Sequence, residues 1–206
     1  ERLKLSIVER EVLAIERKDD VPGFLAPMIY FDFVERQNPE GILGILNHNE
    51  MDILSLIVLY THLTFQLLSI DQKQTMTESY EVGRWYASIG ETSAATKTFT
   101  AIASGKEPDA MKAKLALSLQ WKKQQQWEKA LVLWEEVAMG NSVDLAYTAC
   151  IELAKYHEHK SKNLELALFY SEKAIDCVEK ENEFFIHDKL AELNKRLARI
   201  KRKINI

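Results

Sequence analysis

The sequence predicts an all-α protein whose larger part is an array of stacked, antiparallel helix pairs. The 206 residues include only 7 Gly and 4 Pro, fewer of both than turn-rich sandwiches and barrels need. From about residue 79 onward, small and aromatic residues recur with a fixed period, which is typical of repeat architectures. The apolar fraction of 47% and the charged fraction of 28% exclude intrinsic disorder and collagen-like repeats.

The first 68 residues predict helices separated by loops. An amphipathic pattern over residues 1–17 gives way to a loop at 18–23, where Asp, Pro and Gly are turn formers. Helix resumes from Phe24 to about Arg36. A second break at residues 37–41 leads into a short segment, 41–46. Because the chain starts with Glu1 on a helical pattern, we expect it to be cut from a longer protein.

The strongest helix of this half is predicted to begin after Asn47 or Asn49 as its N-cap and to run through Asp52 to Leu68. Glu50 stands three residues after Asn47, as a capping box requires. The apolar stretch from Ile53 onward is interrupted by polar residues and is too short for a bilayer span. We therefore expect no membrane segment and no membrane partner.

A polar segment from Ser69 to Glu78 predicts the domain boundary. Residues 1–68 then form one region, residues 69–78 a linker, and residues 79–206 a second domain. In the second domain a small residue is followed by an aromatic residue, a turn, and then Ala and an apolar residue in the next helix. The three copies contain, respectively, Gly83, Tyr86, Gly90, Ala95, Phe99 and Ile102; Ser118, Trp121, Gln125, Ala130, Trp134 and Val137; Ala154, His157, Asn163, Ala167 and Ala174.

The spacing from Ala95 to Ala130 is 35 residues, and from Ala130 to Ala167 it is 37. This pattern resembles the tetratricopeptide repeat, a pair of antiparallel helices of about 34 residues. Small residues let two helices approach closely, and the aromatic residues fill the space between successive pairs. A last amphipathic helix, Glu183 to Ile204, is predicted to cap the array with a basic outer face.

Most enzyme motifs are absent from the sequence, including a phosphate-binding loop, a nucleophile elbow and a CxxC pair. The exception is the segment NHNEMD, which places His48 and Asp52 one helical turn apart on one face. That spacing suits one carboxylate of a divalent-metal site with a neighbouring base, although a two-metal site needs several acids. The alternative is that Asp52 complements the dipole of a helix N-terminus without any metal.

The stretch ERKDDVPGFLAPMIYFDFVERQ followed by HNEMDILSL, and the later LAKYHEHKSKNLELALFYSEKAI, resemble bacterial ribonuclease H-like proteins of the YprB type. These proteins belong with the DEDD exonuclease-like group. The resemblance implies the C-terminal part of a metal-dependent 3'-5' exonuclease, with the first acids upstream. Asp52 matches the final metal-binding acid, and His48 stands where one form of the motif has Tyr. It also implies Mg or Mn in the full-length parent only, and no activity or metal in this fragment alone.

If the first helix of each repeat lines a groove, five basic residues are predicted to lie on or near that groove: Arg84, Lys112, Lys122, Lys123 and Lys155. A cationic groove would favour an acidic peptide, a free C-terminal carboxylate or a phosphate backbone. The alternative is an ordinary solvated face. The second functional hypothesis is thus a non-catalytic scaffold that binds a protein partner, with nucleic acid bound only through the parent domain.

The remaining candidates favour structural roles. His157 and His159 lie two residues apart and so point to different faces of a helix. Trp85, Trp121, Trp127 and Trp134 follow the repeat spacing, which favours packing over base stacking. Cys150 and Cys177 lie in apolar helical surroundings, and we expect buried, reduced thiols in a cytoplasmic protein.

Overall fold

The computed structural model describes residues 4–17, 21–37, 39–68, 73–105, 108–180 and 186–204. Within these ranges every regular element is helical and no strand occurs, so the predicted all-α class is confirmed. The chain divides into two compact units, Glu1–Lys73 and Gln74–Ile206. The predicted turn residues 18–20, Asn38 and the first part of the predicted linker, 69–72, lie outside the described ranges.

In its described residues the first unit contains three α-helices. Helix α1, Leu5–Val8, continues into a π-helical turn, Glu9–Leu13, which ends at Ala14 in the left-handed conformation. A 3-10 turn, Gly23–Leu25, then leads into α2, Ala26–Arg36, and the unit ends with α3, Pro39–Leu67. The first predicted helix is therefore shorter than its amphipathic pattern suggested.

The predicted break at residues 37–41 is confirmed at its start, because α2 ends at Arg36 and Gln37 adopts the left-handed conformation. Helix α3 then begins at Pro39 and is continuous over 29 residues, so the predicted N-cap at Asn47 or Asn49 is wrong. The physical reason is close packing. A Cβ atom on Gly44 would lie 2.8 Å from Val21 Cγ2, and one on Gly41 would lie 3.0 Å from Ile29 Cγ2. These glycines let α3 pack closely against Val21 and Ile29 of the same chain, and they do not end a helix.

The length of α3 also changes the membrane expectation. Pro39–Leu67 contains an 18-residue window with mean hydropathy 1.4, of which 6% is buried, and is long and apolar enough to cross a bilayer by composition. The prediction that the apolar stretch is too short for a bilayer span is thus wrong, because the helix that contains it begins well before Ile53. The absence of a membrane partner stays a prediction.

The second unit is an array in which each helix packs against the next along the chain. Helix α4 begins within the segment predicted as a linker, because Thr75 and Glu78 form a capping box. The array then continues to the last described helix. The bounds are α4 Met76–Ser88, α5 Thr92–Ala103, α6 Pro108–Lys123, α7 Trp127–Ala138, α8 Val143–His159, α9 Leu164–Glu179 and α10 Ile186–Ile204.

Three tight turns close the helix pairs α4 and α5, α6 and α7, and α8 and α9. Gly90, Gln125 and Lys162 adopt positive φ angles of 86°, 59° and 59° at these turns. Helix α4 also contacts α6, and α6 contacts α8, so the first helices of the pairs line one side of the array.

The core of the second unit contains the small and aromatic residues that recur in the sequence. Ala95, Ala130 and Ala167 are fully buried, and the side chains of Phe99 and Trp134 are at most 1% exposed. Because a helix pair alone cannot cover these side chains, each pair depends on its neighbour for burial.

Candidate functional site

The predicted pair His48 and Asp52 lies in the middle of α3, one helical turn apart. His48 Nε2 is 3.5 Å from Asp52 Oδ2, and the two side chains are 25% and 36% exposed. Asp52 is preceded by helix on its N-terminal side, because α3 begins at Pro39. The alternative that Asp52 complements a helix N-terminus is therefore wrong.

Arg17, just after the π-helical turn, reaches both members of the pair. Its Nη2 atom donates to Asp52 Oδ1, and its Nη1 atom lies 3.3 Å from His48 Nδ1. The same guanidinium donates to Glu9 through Nε at 2.6 Å and through Nη2 at 2.5 Å. One arginine thus joins two carboxylates and an imidazole.

Glu9 is the buried member of this cluster, with no exposed side-chain surface. A buried carboxylate is costly unless a cation and hydrogen bonds compensate it, and Arg17 supplies both. Hydrogen bonding to Glu9, against the opposing effect of burial and with further help from Asp52, raises the pKa of Arg17 above its usual range. Arg17 is therefore charged at every physiological pH.

The cluster belongs to a longer polar stripe on α3. His48, Asp52, Ser55, His62 and Gln66 follow spacings of three, four or seven residues and so share one face. Ser55 is fully buried, and Gln66 Nε2 lies 3.1 Å from His62 Nε2. Between Ile53 and Tyr60 the rest of the helix circumference is apolar and mostly exposed, with Ile53, Leu56, Ile57 and Tyr60 at 53% or more. The polar face is the covered one, the reverse of an ordinary surface helix.

The carboxylate of this stripe is the type of ligand that a hard divalent cation prefers, but the stripe has too few such ligands to hold the cation alone. Carboxylate oxygens are the ligands that Mg and Mn prefer, and Asp52 Oδ2 is partly exposed and turned toward His48. No group of three or more His, Cys, Asp or Glu side chains suited to a metal occurs within the described ranges. Asp52 can therefore supply one ligand of such a site.

Glu9 and Arg17 were missed by sequence reasoning. Both lie in a stretch that was interpreted only as an amphipathic helix, and neither is near His48 or Asp52 in sequence. The spacing of eight residues between Glu9 and Arg17 does not indicate contact, because the chain leaves the helix at Ala14 before reaching Arg17. Only the tertiary structure brings the four side chains together.

Of the five predicted groove cations, three line one cleft in the second unit. Arg84, Lys112 and Lys123 surround a cleft of about 360 Å³ whose floor includes Phe99 and Leu115. Arg84 pairs with Glu81 at 3.0 Å, and Lys112 pairs with Asp109 at 2.8 Å. No acidic side chain lines the cleft itself among the residues that the structure describes. The cleft is therefore suited to an anionic group with an apolar portion.

The other two cations, Lys122 and Lys155, are engaged elsewhere. Both donate to Glu152, Lys122 from the neighbouring helix α6 and Lys155 from one turn along α8, the latter at 3.0 Å. Burial alone would raise the pKa of Glu152, but the hydrogen bonds from these two lysines lower it below its usual value. Lys155 and Glu152 line a second cleft of about 260 Å³ together with Glu192 and Arg196. Its charges are balanced, so it is not cationic.

Comparison with known proteins gives two similarities. The family model described as RNase_H superfamily matches residues 1–64, the part that contains Glu9, Arg17, His48 and Asp52. The uncharacterized protein YprB of Bacillus subtilis (strain 168) is 40% identical over 208 residues, which cover 98% of this chain and 48% of YprB. The chain thus spans about half the length of this relative. No solved structure matches.

Proposed function

We propose that the chain is the C-terminal part of a longer ribonuclease H-like, metal-dependent 3'-5' exonuclease, with a helical-repeat module for interaction. The observation that carries this proposal is the RNase_H superfamily match at residues 1–64, which includes Asp52 on the polar stripe of α3. The 40% identity to a protein of about twice the length supports the existence of further sequence. The tetratricopeptide-like character of the repeats belongs to the same proposal.

In this proposal Asp52 holds one Mg or Mn ion together with acids outside the described residues. A bound ion would supply Lewis-acid activation of water and charge neutralisation at phosphate. Asp52 Oδ2 is the available oxygen, since Oδ1 accepts from Arg17. The 206-residue chain alone is expected to be inactive, because one carboxylate cannot charge-balance the cations that phosphate hydrolysis needs.

The exposed arc of α3 fits the same interpretation. Ile53, Leu56, Ile57 and Tyr60 would be costly to leave in water, and a soluble protein rarely exposes so large an apolar surface. We assign this arc to contact with the remainder of the nuclease-like domain. A bilayer is a poorer occupant, because the same helix carries Asp52 and the Arg17 ion pair. Cytoplasmic localisation follows from this proposal.

The test compares the 206-residue chain with the full-length protein, using Mn and end-labelled single-stranded DNA or RNA. The full-length protein is expected to shorten the substrate from its 3' end, and the shorter chain to leave it intact. Asp52→Asn should lower the rate at least ~100-fold, the scale of a lost metal ligand. Asp32→Asn, an exposed acid on α2, is the matched control and should have no effect. Cleavage by the shorter chain, or full activity of Asp52→Asn, would refute the proposal.

A second candidate function is a non-catalytic scaffold that binds a protein partner. It is favoured by the cleft around Arg84, Lys112 and Lys123, which suits an acidic peptide or a C-terminal carboxylate. Lys123→Glu should weaken binding of a fluorescent acidic peptide at least ~10-fold, the scale of a lost charge-assisted contact. Lys97→Glu, on the exposed surface of α5, is the control. If an oligonucleotide binds instead, with strong salt dependence, the scaffold hypothesis is wrong.

A further inference from the structure

Arg17 constrains the proton position on the His48 ring. A guanidinium group has donors only, so the nitrogen that faces it must be an acceptor. His48 Nδ1 faces Arg17 Nη1 at 3.3 Å and is therefore the unprotonated nitrogen of the neutral ring. The proton then resides on Nε2, which faces Asp52 Oδ2. This arrangement makes His48 a hydrogen-bond donor on the exposed side.

Arg17 also fixes the orientation of Asp52. One carboxylate oxygen, Oδ1, accepts from Arg17, and the other, Oδ2, remains beside His48 Nε2. A carboxylate held at one oxygen loses much of its rotational freedom, so less ordering is needed when the second oxygen binds a cation. The contact thus preorganises the oxygen that the proposed function uses.

Glu9 keeps this arrangement electrostatically suitable for a cation. A lone arginine beside Asp52 would cancel its negative charge and repel a metal ion. Glu9 is fully buried and accepts two hydrogen bonds from Arg17, which compensates the guanidinium charge. Of the three groups Glu9, Arg17 and Asp52, one negative charge remains in excess.

We infer that Arg17 is a positioning residue for the candidate site, with Glu9 as its compensating partner. It holds His48 in the Nε2-protonated tautomer and Asp52 by Oδ1, so that an N–H donor and a carboxylate oxygen lie side by side. The purpose of the arrangement rests on the proposed function, whereas the tautomer and the Arg17 contacts do not. In this tautomer the ring nitrogen of His48 that faces Asp52 is a hydrogen-bond donor.

The first measurement is the tautomer of His48 in the uniformly 15N-labelled 206-residue chain, read from long-range proton–nitrogen correlation spectra at pH 8. A His48→Gln spectrum assigns the signals. We expect Nδ1 to be the unprotonated nitrogen in the unmodified chain. An Nδ1-protonated ring, or an even mixture of the two tautomers, would overturn the inference without any further variant.

The second measurement uses a variant that lacks the Arg17 contacts to His48 and Asp52. Arg17→Met alone would leave Glu9 buried and unpaired, so the variant Glu9→Gln/Arg17→Met removes both charges together. We expect the ratio of the minor to the major tautomer to rise roughly 10-fold, as for one lost charge-assisted hydrogen bond. Arg10→Gln, at an exposed ion pair with Glu11, is the matched control and should leave the ratio unchanged. An unchanged ratio in the double variant would overturn the inference.

A third arm separates this inference from the proposed function. Substoichiometric MnCl2 is added to the full-length protein, the form in which the proposed function places the metal, and paramagnetic broadening of the His48 ring is compared with that of the exposed His159 ring. Selective broadening of His48 that is lost in Asp52→Asn and weakened several-fold in Arg17→Lys supports the positioning role. Equal broadening in Arg17→Lys and in the unmodified chain would overturn it. Absence of broadening with the expected tautomer would instead refute the metal site of the proposed function.

Discussion

The Glu158 carboxylate on α8 accepts two hydrogen bonds from the guanidinium of Arg199 on α10, from Nε at 2.8 Å and from Nη2 at 2.7 Å. The Glu158 side chain is fully buried, and Lys203 and Arg196 donate to it as well, at 2.8 and 3.2 Å. Arg196, Arg199 and Lys203 of α10 are thus all paired with Glu158. These ion pairs hold α10 against α8, and the burial of Leu193 on α10 adds to the contact.

Glu158→Gln is expected to destabilise the second unit by about 3 kcal/mol, because it leaves several cations without their buried counter-charge. The matched control is Glu172→Gln, at an exposed ion pair with Lys201 of 3.9 Å, which should change stability by less than ~0.5 kcal/mol. Urea unfolding followed by circular dichroism measures both. Equal stability of the two variants would show that the Glu158 cluster contributes no more than a surface pair.

The same residue predicts a loss of stability in acid. Burial by itself would raise the pKa of Glu158, but hydrogen bonds from Arg199 and Lys203 outweigh burial and lower it to about 2. The folded pKa is below the unfolded value, so the stabilisation is complete above the unfolded pKa and is lost as the pH falls toward 2. Unfolding free energies measured between pH 6 and pH 3 should fall less steeply in Glu158→Gln. Identical slopes in the two proteins would contradict this assignment.

The sequence predicted the array well because its information is local and periodic. Ala95, Ala130 and Ala167 recur at nearly constant spacing, and all three are fully buried. Trp134 is likewise buried, as its repeat position indicated. The start of α3 was predicted too late, because a glycine in a break between helices and a glycine that permits close packing within a helix are the same in sequence. Gly44 is of the second kind.

The candidate site could be predicted only in part. His48 and Asp52 are one turn apart on a helix, so their proximity follows from sequence. Their contact with Arg17 depends on the chain turning at Ala14, where the backbone is left-handed without a glycine. The pairing of Lys122 with Glu152 depends on how α6 and α8 pack, which a single sequence does not specify, whereas Lys155 and Glu152 lie one turn apart on α8.

Gly83→Ala tests the close approach of α4 and α5. A Cβ atom on Gly83 would lie 2.7 Å from Cε1 of Phe99, a ring that is 1% exposed and cannot move freely. Overpacking of this kind costs about 1–3 kcal/mol, while Ala gains about 1 kcal/mol over Gly in helix propensity. A net loss of about 1 kcal/mol in urea unfolding is expected.

The control for Gly83→Ala is the same substitution in a Phe99→Leu background, where the ring is gone. There the helix propensity of Ala should dominate, and the substitution should be neutral or stabilising. A loss of equal size in both backgrounds would mean that Phe99 is not the source of the penalty.

Cys150 and Cys177 should be unreactive in the folded protein. Burial, with a smaller contribution from the neighbouring Cys177, raises the pKa of Cys150 to about 12, so the thiolate is nearly absent at pH 8. A thiol reagent is expected to modify neither residue in buffer and both in urea. Thr100→Cys, at an exposed position on α5, supplies a rapidly reacting reference thiol. A native thiol that reacts as fast as this reference would contradict the burial.

His157 on α8 should contribute a separate loss of stability at mildly acidic pH. Its ring stacks on Tyr170 with a centroid distance of 5.7 Å, Nδ1 lies 2.9 Å from Ser161 Oγ, and Nε2 is buried without a hydrogen-bond partner among the described residues. Burial lowers the pKa of His157, partly opposed by the charge of Glu135. The unfolded chain therefore binds a proton more readily than the folded protein, and stability falls as the pH drops below the unfolded value of about 6.5.

His157→Phe should keep the ring stack and remove this titration, so that its unfolding free energy changes less between pH 7 and pH 5 than that of the unmodified protein. The interval lies above the range in which Glu158 titrates, so the two effects are separable in one pH series. His187→Phe, at an exposed side chain on α10, is the matched control and should keep the original pH dependence. If His157→Phe and the unmodified protein lose the same stability over this interval, His157 is protonated as easily in the folded state as in the unfolded chain, and its burial has no thermodynamic consequence.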